Sequence, residues 1–180
     1  MVIALGGRRT DAPHAREMRF PAERIPAVAE EIRATLERLG AKVLVCSAAC
    51  GADLLALEAA GQLGIRRRVV LPFDRNQFRQ TSVVDRPGNW GELYDRVLDY
   101  IQAKDDLVVL GFQRGNKQAY QATNHRLLAE AEALAHNNNA SVRTLIVWEG
   151  QTRGPDDVTA QLFELARAAG IPTTEILTMP

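Results

Sequence analysis

Apolar residues follow two periods along this chain. Short, nearly continuous runs of Val, Ile, Leu and Ala predict strands at residues 2–6, 42–47, 67–72, 107–111, 143–148 and 173–177. Between them, apolar positions three and four apart predict helices at 25–39, 52–63, 91–101, 118–135 and 156–169. The first of these places Ile25, Val28, Ile32, Leu36 and Leu39 on one face and stops at Gly40, and the second stops near Gly64. Strands that do not alternate with polar residues are buried on both faces. The pattern therefore predicts an α/β chain: a three-layer, Rossmann-like domain with a mainly parallel sheet. No internal repeat, low-complexity tract or linker divides residues 1–180, so a single domain is expected. The stretch 74–90 has no clear period and reads as a long loop of the kind that often covers a site.

Charge narrows the choice of ligand. There are 22 basic and 22 acidic side chains, so no global field draws the chain to nucleic acid or an acidic membrane. Lys42, Lys104 and Lys117 are the three lysines, which leaves 22 − 3 = 19 arginines, and arginine offers a planar donor fork suited to carboxylate and phosphate. Residues 1–6 have neither a basic leader nor a signal-length apolar stretch, and no run approaches the length of a membrane span. Cys46 and Cys50 lie too close to close a useful loop, and with His14, His125 and His136 scattered they match no zinc spacing. Two buried thiols, no bound metal and a reducing cytoplasm are the expectation.

In open α/β sheets ligands bind beyond the carboxyl ends of the strands, so the loops after the strands carry the candidate chemistry. The first runs through Gly6-Gly7-Arg8-Arg9-Thr10-Asp11, where glycines admit a close backbone and arginines an anion, although a plain glycine turn with solvated arginines has the same composition. The second, from Cys46 and Ser47 to Gly51-Ala52-Asp53, enters a helix whose N-terminus would attract a phosphate. Asp53 is either a ligand contact or a helix cap. The third joins Phe73 to Ser82 and then Trp90, rings that would stack on a base or fold the loop onto the core. Asn124, inside the long helix, faces either a ligand or solvent. Later loops carry Glu149-Gly150 and Asp156-Asp157, the latter pair also suited to capping. The triplet Arg66-Arg67-Arg68 sits at a strand entrance and reads as a solvated edge. Neither a Walker loop nor a GxGxxG fingerprint nor a GxSxG elbow is present.

Leu5-Gly6-Gly7-Arg8-Arg9-Thr10-Asp11, the run from Cys46 through Gly51-Ala52-Asp53 to Ala56, and Trp148-Glu149-Gly150 before Gly154-Pro155 together resemble the SLOG superfamily, which includes the LOG/lysine-decarboxylase-like proteins and the DprA/Smf domain. The likeness covers nearly the whole chain. It implies a nucleotide or nucleotide-derived ligand held by Gly6, Gly7, Arg8, Ser47, Gly51, Ala52 and Asp53, and a homodimer; the loop reading adds a base near Phe73 or Trp90. The LOG enzymes cleave the N-glycosidic bond of nucleoside 5′-monophosphates with a PGGxGTxxE motif; here Gly150-Gln151-Thr152-Arg153-Gly154-Pro155-Asp156-Asp157 stands in that place. The first expectation is thus a binding or sensing domain for a small anionic nucleotide-type ligand, with no further cofactor. The alternative is an N-glycosidic bond hydrolase using Asp53, Glu149 and Asp156. Single-stranded DNA binding of the DprA kind ranks third, because no basic stripe interleaved with aromatics is present.

Overall fold

The computed structural model describes every residue except Lys117. Six strands, β1 (Val2–Gly7), β2 (Val43–Cys46), β3 (Arg66–Leu71), β4 (Leu107–Val109), β5 (Val142–Trp148) and β6 (Thr173–Leu177), form one parallel sheet in the order β4-β3-β2-β1-β5-β6. The helices among the described residues are α1 (Ile25–Arg38), α2 (Ala52–Gln62), α3 (Arg75–Ser82), α4 (Trp90–Ala103), α5 (Ala119–Asn137) and α6 (Val158–Ala168), with a short 3-10 turn at Ala22–Arg24. The architecture is the three-layer Rossmann-like α/β fold read from the sequence, with a sheet that is parallel throughout.

Alternate residues of each strand feed two cores. Ile3, Leu5, Leu44, Cys46, Val69 and Leu71 pack under α1, α2 and α4, while Val2, Ala4, Val45, Val70 and Ile146 pack under α5 and α6. Both faces are covered, which is why these strands read as continuous apolar runs. From β1 the chain lays strands outward in one direction to β4. Helix α5 then carries it back across the other face, and β5 pairs with β1 in register from Val2↔Val142 to Gly7↔Val147. The order therefore reverses at β1, and a crevice opens between the strand ends at that switch point.

The stretch read as one long loop contains α3. Asp74 caps it by accepting from Asn76 N–H and Gln77 N–H, both at 3.0 Å. Phe78 is its one apolar side chain, so eight residues gave no period to read. The arginine triplet also differs from a solvated edge: Arg66 and Arg68 bond Asp106, Arg68 reaches Glu130 at 3.0 Å, and Arg67 lies 4.4 Å from the Tyr100 ring centroid.

Gly7 sits at the tightest junction. A Cβ built on it would stand 2.5 Å from the Ala52 Cβ and 2.7 Å from the Val147 carbonyl oxygen, so β1, β5 and α2 converge only because this position has no side chain. Gly7→Ala is expected to destabilise the fold by about 1–3 kcal/mol, the usual cost of overpacking, read as an earlier midpoint in urea unfolding.

Candidate functional site

The loop after β1 runs along the start of α2. Gly51, at φ +92°, turns the chain into the helix, and a Cβ there would lie 2.7 Å from the Arg8 carbonyl oxygen and 2.8 Å from the Thr10 nitrogen. The Ala52 N–H donates to that Arg8 carbonyl at 3.1 Å. The first amide of α2 is therefore taken by backbone. Of the residues expected to seat a phosphate there, Gly51 and Ala52 do not line the cavity described below, whereas Asp53 does.

Arg8 borders the cavity but is not a free fork. It is 3% exposed, and its guanidinium donates from Nε and Nη2 to Glu149 (2.5 and 3.0 Å), from Nη1 and Nη2 to Asp157 (2.6 and 2.8 Å), and from Nη2 to the Gln151 carbonyl (2.8 Å). A fork expected to seize a ligand anion is already matched to two carboxylates of its own chain. Asp157 in turn caps α6, accepting from Thr159 N–H at 3.0 Å and Ala160 N–H at 3.2 Å, and holds the Arg153 N–H at 2.8 Å. Glu149 also pairs with Arg19. Burial would raise the Asp157 pKa, but the Arg8 hydrogen bonds and backbone donors outweigh it and bring it down to about 2. The same opposition leaves Glu149 below its ordinary value, with Arg8 again the leading partner. Neither carboxylate is placed to carry a proton near neutral pH. Asp156 is exposed and, like Glu149 and Gly150, lies outside the cavity lining.

Beside this ion-pair cluster lies a cavity of about 430 Å³ at the switch point. Its floor is the run from Leu5 to Thr10 with Ser47, Ala49 and Asp53; its walls are Phe78 and Ser82 of α3, Tyr120, Thr123, Asn124 and Leu127 of α5, and Val158, Thr159 and Leu162 of α6. Asp11, Ala12, Ala15, Glu17 and Arg19 border it as a strap. Asp11 closes that strap by accepting from the Arg19 and Phe20 N–H groups at 2.9 and 3.0 Å. At the mouth, Arg9 and Arg86 both bond Asp85, and the Arg153 Nε stands 3.7 Å from Asp157.

Asp53 is the carboxyl that burial alters most. It is 6% exposed and accepts one hydrogen bond, from Ala49 N–H at 3.1 Å, which lies before the helix, so it braces the β2 loop and does not cap the α2 amides. Burial pushes its carboxyl up to about 7, against the smaller opposing effects of that hydrogen bond and of Arg9. The two cysteines are free, buried thiols, and burial raises Cys46 well above the usual thiol range and Cys50 to about 11. Among the described residues no group of three His, Cys, Asp or Glu side chains is placed to hold a metal ion.

Of the residues singled out in the sequence, Gly6, Gly7, Arg8, Ser47, Asp53, Ser82 and Asn124 border one cavity. Phe73 and Trp90 do not. Phe73 is buried edge-on to Tyr120, and Trp90 folds onto its own loop with Nε1 donating to the Pro87 carbonyl at 2.9 Å. The aromatic side chains of the cavity are Phe78 and Tyr120, whose hydroxyl lies 3.1 Å from Ser82 Oγ. Phe78 fell in the stretch without a period, and Tyr120 begins a helix whose lining positions Tyr120, Thr123, Asn124 and Leu127 fall at helical spacing, a stripe visible in the sequence once its direction is known. Comparison with protein-family models and with curated proteins finds no match to this chain.

Two outcomes follow from these charges. Replacing Arg8 by Met removes the cation from two buried carboxylates and is expected to cost about 3–5 kcal/mol in urea unfolding. Asp53 behaves oppositely. The folded chain keeps its proton up to about pH 7 whereas the unfolded chain releases it near 3.8, so the stability this group contributes is full below about pH 4 and is lost as pH rises through 7. Asp53→Asn is therefore expected to be more stable than the native chain by roughly 2–4 kcal/mol at pH 8.5, with the difference closing toward pH 4.

Proposed function

We propose that this chain binds a small nucleotide-type ligand in the cavity at the carboxyl ends of β1, β2 and β5. The observation that carries the reading is the cavity itself: about 430 Å³, set at the topological switch point, with hydroxyl side chains and a carboxyl on its floor, an amide, a tyrosine and a phenylalanine in its walls and arginines at its mouth. The residues that carry the SLOG resemblance, Gly6-Gly7-Arg8 and Ser47 with Asp53, border that space, which supports the same ligand class. The mouth arginines Arg9 and Arg86 are offset by Asp85, and Arg19 by Glu149 and Glu17, so the rim suits a compact anion better than a polymer. No helix of the described residues is long and apolar enough to cross a membrane.

A second reading, hydrolysis of an N-glycosidic bond, is favoured by Asp53. A carboxyl that titrates near 7 inside a cavity is suited to give or take a proton at neutral pH. Of the three carboxyls first considered for that role, Asp53 is the one in the cavity.

Calorimetric titration with nucleoside monophosphates, cyclic dinucleotides and ADP-ribose tests the first reading. Saturable heat is expected for at least one of them, and Ser47→Trp, which fills the floor, is expected to weaken it at least about tenfold while the chain stays folded. Heat that Ser47→Trp leaves unchanged would place the ligand elsewhere. Incubation of the same compounds with the protein, followed by chromatography for free base, tests the second: release that falls about 100-fold or more in Asp53→Asn supports hydrolysis, and no release leaves binding alone.

A further inference from the structure

The cavity is chemically one-sided. Two groups near its floor that would draw an anion are occupied, since the Ala52 N–H, just outside the lining, is bonded to the Arg8 carbonyl and the Arg8 guanidinium to Glu149 and Asp157. What the floor presents is an acceptor. Among the described residues Asp53 has one donor, the Ala49 N–H, and no arginine or lysine within ion-pair distance. The Thr10 hydroxyl, in the same lining, is turned into the protein against the Cys50 thiol. A buried polar group short of partners is costly, and Asp53, with its single donor, lacks hydrogen-bond donors that a ligand could supply.

A phosphate set against Asp53 would meet like charge in a poorly solvated place, whereas hydroxyl groups would supply the donors. The floor groups Asp53, Thr10 and Ser47 come from α2 and the loops after β1 and β2 and include no ring, while Phe78 and Tyr120 belong to α3 and α5. A sugar fits the floor better than a base. On the rim, Arg153 is about half exposed and stands 3.7 Å from an Asp157 oxygen that already accepts from Arg8 and from its own amide. It is the most weakly compensated guanidinium bordering the cavity.

We infer that the ligand enters sugar first: a ribose cis-diol donates to Asp53, and the phosphate faces outward to Arg153. This rests on the ligand-binding reading above and reverses the orientation in which a phosphate lies on the glycine loop. The site would then select ribonucleotides over 2′-deoxyribonucleotides. The test is calorimetry at pH 8 with the four ribonucleoside monophosphates, their 2′-deoxy counterparts and the parent nucleosides, using the native chain, Asp53→Asn and Arg153→Ala. At least about tenfold preference for the ribo form is expected, since a site built around a hydroxyl rejects the analogue that lacks it. Asp53→Asn should shrink that preference below about threefold, and Arg153→Ala should weaken the monophosphates but not the nucleosides. Equal binding of ribo and deoxy forms by the native chain would overturn the diol assignment and leave the ligand-binding reading standing. No binding by any member of the panel would overturn both. The melting temperature of Asp53→Asn, measured alongside, separates lost recognition from lost fold.

Discussion

The site depends on one buried cation. Arg8 leaves the end of β1 and is held between Glu149, just past β5, and Asp157, the cap of α6. With Arg19 joined to Glu149, the cluster holds two guanidinium groups and two carboxylates, so it is neutral as a whole and its members are matched by hydrogen bonds. That balance is what lets charge be buried at a point where strands part and backbone is scarce. It also ties together the three elements that diverge there. The strap from Asp11 to Arg19, the turn from Glu149 to Asp157 and the first turn of α6 take their positions from the same guanidinium, directly or through one carboxylate.

The cluster explains why the cavity has the chemistry it has. With Arg8 committed to the scaffold and the first amide of α2 covered by the chain, the floor retains acceptor character and the positive groups lie at the rim. Asp53 is the cost of this arrangement: a carboxyl packed under the β2 loop with one donor for company, titrating about 7 instead of where a solvated aspartate would. Groups that a fold leaves in such an unfavourable state are found where function demands them, which connects the stability of this chain to its proposed ligand.

Much of the fold was legible because it rests on short-range patterns. Continuous apolar runs marked all six strands, and three- and four-residue spacing marked five helices; α3 escaped because Phe78 is its only apolar anchor. The loops after strands directed attention to the end of the sheet that carries the cavity, and Gly6, Gly7, Ser47, Asp53, Ser82 and Asn124 border it. What one sequence did not show was partnership. That Arg8 faces Glu149 and Asp157, 141 and 149 residues away, is a fact of topology, and it turned a candidate ligand contact into a scaffold. The directions of side chains were equally hidden: Phe73 and Trp90 turn away from the cavity, and Phe78 and Tyr120 line it.

The most direct test is a crystal structure of the chain soaked with a ribonucleoside monophosphate. The account requires ligand density in the cavity, sugar toward Asp53, with the Arg8 contacts to Glu149 and Asp157 unchanged. Density in which Arg8 leaves those carboxylates to meet the phosphate, or in which the nucleotide lies outside the cavity, would contradict it.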